Sequence, residues 1–200
     1  MKENWLFIKT PDHYGETDII EFDENAIKHF SVEKYSDISL VKKVNEKWNE
    51  NLTEIEHKFV NPNRIRFFRK GKIHKVISET ESVTEDCIFE NDYEKLIATE
   101  TKLTESEIQN LRFELVWNGE KLNVIFNEIL DSPAIQEMNK RMGNEGSRIV
   151  LEKLNETLFI SLYSDKYSEK LIPIKYIDKQ KVILYGFPKE PYEVNCKVLE

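Results

Sequence analysis

The feature that most constrains this chain is the way its apolar residues are spaced. They come in short runs rich in aromatic and β-branched side chains, and each run is soon closed by turn residues. That pattern is the signature of antiparallel strands joined as a meander. In the first half the runs are Trp5–Lys9, Asp18–Phe22, Ala26–Val32, Asn63–Phe68, Lys72–Ile77, Cys87–Glu90 and Glu94–Thr99. In the second half they are Arg112–Trp117, Lys121–Phe126, Arg148–Leu154, Thr157–Tyr163, Leu171–Ile177 and Val182–Tyr185. Asn118-Gly119 between two such runs is the strongest hairpin signal in the chain. The expected fold is therefore mainly β, or α+β: an antiparallel meander closing into a barrel or a two-layer sheet.

Two short helices interrupt this pattern. Thr104 and Glu107 form a capping box that opens a helix near 105–110. Ser132-Pro133 and Gly143 bracket a helix near 133–142, with Ile135, Met138 and Met142 on one face. Residues 38–60 leave two readings open. Val41, Val44, Trp48, Leu52, Ile55 and Phe59 fall at helical spacing, whereas Asn49-Glu50-Asn51 equally suits a turn between two strands. With 200 residues, the chain buries a sizeable core as a single domain. A division into two β lobes would fall near 78–107, where polar residues replace the apolar rhythm. The similar stretches Glu33–Asp37 and Asp165–Glu169 leave open a duplication of those lobes.

The opening residues carry a family likeness. Trp5 on the first strand, the run Asp18–Asn25 and then Ala26–Phe30 resemble the start of bacterial lipocalin-like domains. Asn63–Phe67 followed by Lys70-Gly71 resembles a later hairpin of the same meander. The likeness spans about the first 80 residues of the sequence and departs at Glu3, where the lipocalin signature has glycine. It implies an up-and-down barrel with an apolar interior.

Motif searches point away from catalysis. Six glycines are too few and too scattered for a phosphate-binding loop. Neither a nucleophile elbow nor a zinc-binding helix motif can be written. His13, His29, His57 and His74 lack ligand spacing. Asp12, His13, Glu16 and Asp18 read as a solvated acidic turn rather than a metal loop. Acidic neighbours raise the thiol pKa expected at Cys87 and oppose a nucleophilic role. No enzyme activity, metal or cofactor is expected. Cys87 and Cys196 read as reduced thiols, and the N-terminal apolar run is too short for a secretory signal. The expected location is the cytoplasm, with no membrane span.

Charge supplies the one anomaly. The chain carries a net −8, which argues against nucleic acid as a partner. Yet Arg64, Arg66, Arg69, Lys70, Lys72 and Lys75 form a basic block with no acid among them. Directly after it come Glu79, Glu81, Glu85, Asp86, Glu90, Asp92 and Glu94 with no base. Three readings follow. The blocks neutralise one another across paired strands. Alternatively, Arg64 and Arg66 clamp a small anionic ligand, facing solvent or a cavity while Ile65 and Phe67 face the other way. In the third reading, Glu79, Glu81, Glu85, Asp86, Glu90 and Asp92 receive a basic protein. The resulting functional expectation is a non-enzymatic binding protein acting through an acidic surface, in concrete form an immunity-type inhibitor of a basic toxin. The alternative is a lipocalin-like binder of a small apolar or anionic molecule.

Overall fold

A computed structural model describes residues 3–8, 18–22, 25–34, 38–117, 120–128, 148–164, 167–186 and 194–199. Within them the chain forms two eight-stranded sheets. The first holds β1 (Trp5–Ile8), β2 (Ile19–Phe22), β3 (Ala26–Lys34), β4 (Leu40–Val44), β5 (Glu50–Asn51), β6 (Glu56–Asn61), β7 (Arg64–Ser78) and β8 (Glu81–Lys95). The second holds β9 (Glu100–Thr101), β10 (Arg112–Trp117), β11 (Glu120–Ile125), β12 (Arg148–Leu154), β13 (Thr157–Ser164), β14 (Tyr167–Ile177), β15 (Lys181–Leu184) and β16 (Val194–Leu199). All neighbours are antiparallel except β9, which lies parallel to β14.

Both sheets follow one plan. Strands are added in sequence order, and the last strand returns to pair with an early one: β8 with β1, and β16 with β10. In the second sheet this makes a nearly closed barrel. The Asn127 N–H donates to the Ile149 carbonyl at 2.7 Å, linking the exit of β11 to β12. In the first sheet β6 pairs only with β7, and β4 and β5 pair only with β3, so a seam remains.

Strand alternation sorts the side chains into three cores. Trp5, Phe7, Ile20, Ile27, Ile65, Phe67 and Tyr93 fill the inside of the first sheet. Their neighbours Leu6, Ile19, Phe30 and Leu40 point the other way and meet Leu154, Phe159 and Leu171 of the second sheet. A third, larger cluster including Phe113, Val124, Ile160 and Ile174 fills the second barrel. Each fully buried side chain of this size contributes about 1.5–3 kcal/mol.

Several expectations reappear with changed boundaries. The capping box at Thr104 and Glu107 is present and opens α1 (Glu105–Gln109). Trp117 pairs with Glu120, the register of a two-residue connection. Asn118 and Gly119 themselves, the 133–142 helix, residues 35–37 and 165–166 of the similar stretches, and Asp12, His13 and Glu16 lie outside the described residues. Residues 38–60 form no long helix. β4, β5 and β6 alternate there with two 3₁₀ turns, Glu46–Trp48 and Leu52–Glu54. The Asn51 side chain caps the second turn by accepting from the Thr53 N–H, a local bond that competes with helix. Residues 96–99 are not strand either. The Ile97 N–H donates to the Tyr185 hydroxyl, the Ile97 carbonyl accepts from the Thr157 hydroxyl, and the Thr99 hydroxyl donates to the Ile174 carbonyl. With those groups satisfied by the second barrel, no ladder is needed. β16 carries no expected strand and appears only in the structure.

Candidate functional site

The expected turn at Lys70-Gly71 does not exist. β7 and β8 run on as two fifteen-residue strands paired from Arg64 opposite Glu94 to Ser78 opposite Glu81. Gly71 serves close approach instead: a Cβ there would stand 2.5 Å from the Phe89 ring, which lies across its backbone. β6 accompanies β7 only as far as Phe68, and β1 accompanies β8 only as far as Asp92. Beyond those points no other described strand accompanies the hairpin, which runs on as a two-stranded ribbon roughly 30 Å long at the usual rise per residue. Ile73, Val76, Ile77, Val83, Ile88 and Phe89 are exposed on it.

The oppositely charged blocks occupy the two strands of this ribbon and pair across it. Arg66 donates from Nε and Nη2 to both oxygens of Asp92, at 2.6 and 2.9 Å, and from Nη1 to Glu90. Lys75 meets Glu85, and Lys72 approaches Asp86 at 4.0 Å. Glu79 and Glu81, at the tip, form no ion pair with described residues. From Arg64 to Lys95 acids and bases balance in number. Arg64 departs from the expectation of a solvent-facing or cavity-lining arginine. It is 1 % exposed and bonded through Nε to Glu94 at 2.8 Å. Glu94 in turn packs against Gly186 of the second barrel, which has φ +69°. The Arg64–Glu94 pair joins β7 to β8 where the first sheet meets the second. Ile65 and Phe67 fill the first core, on the opposite face of β7.

A second feature lies where the ribbon leaves the body. On several strands lining the first core, the inward row passes from apolar to polar at about the same level. Ile65 and Phe67 lead to Arg69 on β7, Ile27 leads to His29 on β3, and Ile20 is preceded by Asp18 at the start of β2. Glu50 of β5, paired beside β3, meets His29 on that strand and Arg69 across the open seam. His29 donates from Nδ1 to Asp18 at 3.0 Å and from Nε2 to Glu50 at 2.8 Å. Arg69 grips the same Glu50 carboxylate from Nε and Nη2, at 3.0 and 2.6 Å. The Tyr93 hydroxyl donates to Asp18 at 2.9 Å.

These contacts set the ionisation of the group. Burial alone would lower the His29 pKa, but the hydrogen bonds and charges of Asp18 and Glu50 outweigh it and lift it to about 9. Burial likewise pushes the Glu50 carboxyl up, yet bonds from His29 and Arg69 bring it down to about 2. Burial, followed by the charge of Asp18, raises the Tyr93 pKa. At neutral pH the cluster is an imidazolium and a guanidinium holding two carboxylates. Both imidazole nitrogens are committed as donors, so His29 has no lone pair with which to act as a general base. The cluster borders a cleft of about 390 Å³, whose outer rim carries Lys47 and Trp48.

Among the described residues no group of three or more His, Cys, Asp or Glu is placed to hold a metal ion. No helix among them is long and apolar enough to cross a membrane. Cys87 and Cys196 are free, and burial pushes the Cys196 thiol up to about 12.

Sequence reasoning missed the cleft because its charged members come from positions 18, 29, 50 and 69, too far apart to make a motif. The readable signal was the apolar-to-polar step, two residues apart, on several neighbouring strands. No family model matches this chain, and neither does any curated protein or solved structure. Function is therefore argued from these two features alone.

Proposed function

We propose that this chain is a non-catalytic, cytoplasmic protein-binding module that receives an extended basic segment of a partner along the free edge of β8. One observation carries the reading. Between Glu81 and Asn91 that edge has no neighbouring strand among the described residues, and the strand bears Glu81, Glu85, Asp86 and Glu90. Unpaired edge groups are a template for strand addition, with backbone bonds giving affinity and side chains giving selectivity. The acids contact β7 only through exposed pairs, which are individually worth under about 1 kcal/mol and are readily exchanged for a partner's lysines. Val83, Ile88 and Phe89 add apolar area to bury. A two-stranded ribbon is marginal alone in water, so a covering partner fits its exposed length. The free thiols suit a reducing compartment. A basic toxin held by an inhibitor of this kind is the concrete form.

The lipocalin-like alternative draws support from the return of β8 onto β1. Aromatic rings fill the interior of that sheet, however, and Arg64 and Arg66 point away from it, so the edge reading is the better supported.

The test places a photo-crosslinking phenylalanine analogue at Val83 and follows capture of partner protein as salt is raised. Crosslinks should weaken with salt and fall at least tenfold when Glu81, Glu85 and Asp86 are all changed to Lys, while Lys72→Glu retains them. Crosslinks indifferent to the triple charge reversal, or none at low salt, would sink the proposal.

A further inference from the structure

The cleft at the base of the ribbon has a property that edge docking does not use. The polar side chains on its rim still have hydrogen-bond donors to offer, while its carboxylates are already engaged. Glu50 accepts from His29 and twice from Arg69, and Asp18 accepts from His29 and Tyr93. Two carboxylates facing one imidazolium and one guanidinium leave that wall neutral. The two asparagines spend their oxygens on the wall. Asn49 Oδ1 accepts from the His29 backbone N–H at 3.3 Å, and Asn91 Oδ1 accepts from Arg69 Nη1 at 3.1 Å. Each therefore keeps its amide NH2 to donate. Lys47 is exposed on the rim and, among the described residues, forms no ion pair, so among them its charge is the one left without a partner. Beside it stands Trp48, 56 % exposed, its indole edge-on to the His29 ring at 6.4 Å. An indole left so open beside a charged wall offers a flat apolar surface that is largely uncovered among the described residues.

From the donors, the single positive charge and the indole, we infer that the cleft binds a small planar carboxylate, an aromatic acid. Its ring lies against Trp48, and its carboxylate is received by Lys47 and the amide groups of Asn49 and Asn91. A volume of about 390 Å³ falls in the size range of small-ligand sites. A negatively charged ligand suits a site whose unspent groups are donors, and a planar one suits an indole wall. This site touches the β8 edge only at Asn91, its inner end, and does not depend on the docking proposal.

The experiment titrates the full chain with 4-hydroxybenzoate and with benzoate by calorimetry, using benzamide as the neutral control, and follows the Trp48 indole N–H by NMR. Both carboxylates should bind saturably and shift the Trp48 resonance. Benzamide should bind about tenfold more weakly, and Lys47→Ala should weaken both acids about tenfold, the scale of one lost charge-assisted hydrogen bond. Lys47 is exposed, so this variant should unfold at the same midpoint as the parent, which keeps lost binding distinct from lost folding. No saturable binding of either carboxylate at millimolar concentration would overturn the inference. Equal binding of benzamide would overturn it too, as would undiminished binding in a Lys47→Glu, Asn91→Asp double variant.

Discussion

The two sheets of this protein share a strand plan and differ in how the plan is finished. In the second, the exit of β11 bonds to β12 and a continuous apolar cluster fills the barrel. In the first, no strand pairing joins β5 to β6, and the gap is crossed by Glu50 reaching to His29 on one side and Arg69 on the other. One seam is held by a backbone bond beside buried apolar side chains, the other by charges. The difference teaches where binding features can arise in such a molecule. The nearly closed barrel is filled by apolar side chains, whereas the open sheet keeps, among the described residues, a free strand edge, a charged cleft and a projecting ribbon.

Three measurements would break or sharpen that contrast. The largest effect is expected inside the closed barrel. Phe113→Ala should lower the unfolding free energy by about 4 kcal/mol, because Phe113 is fully buried against Phe126. Phe22→Ala, on a partly buried ring of the open sheet, should cost clearly less. Equal losses in urea denaturation would mean that the two interiors are equally sealed.

Next comes the joint between the sheets. Arg64→Ala removes the Nε bond to the buried Glu94 and should cost about 3 kcal/mol. A double replacement, Arg64→Met with Glu94→Leu, should recover most of that loss. If the single variant proves neutral, the pair does not stabilise this joint.

The smallest expected effect is a pH dependence confined to the open seam. The His29 pKa is raised from 6.5 to about 9. Its contribution to stability is therefore fully present below pH 6.5 and is lost as pH rises through 9, by on the order of 2 kcal/mol after solvent screening is allowed for. Glu50 is shifted the other way, from 4.5 to about 2, so its contribution is present above pH 4.5 and disappears as pH falls through 2. His29→Gln should abolish the alkaline loss. Hydrogen exchange should place that loss in β3 and β5 and not in the second barrel; a loss spread evenly over both sheets would refute the seam assignment.

How much of this was legible depended on range. Arg112–Trp117 and Arg148–Leu154 appear as strands with the boundaries their residues announce, and Thr104 with Glu107 makes its capping box, because alternation and capping act over a few neighbouring residues. The ribbon was misdivided at Lys70-Gly71, since a glycine in a strand pattern reads as a turn until a cross-strand ring such as Phe89 is seen to cover it. Pairing of the basic block with the acidic block was open to a sequence reading, because a hairpin places consecutive runs side by side.

Taken alone, the amino-acid order determined the kind of secondary structure, the faces its strands present and the sorting of charge into two adjoining blocks. Only the tertiary structure decided that Arg64 would be buried between sheets, that the ribbon would outrun its neighbours, and that residues 18, 29, 50 and 69 would meet beside an open seam. The physical reason is that alternation along a strand is fixed by local backbone geometry. Which strands run beside one another, and where a sheet stops short of closing, is set by the packing of side chains far apart in the chain.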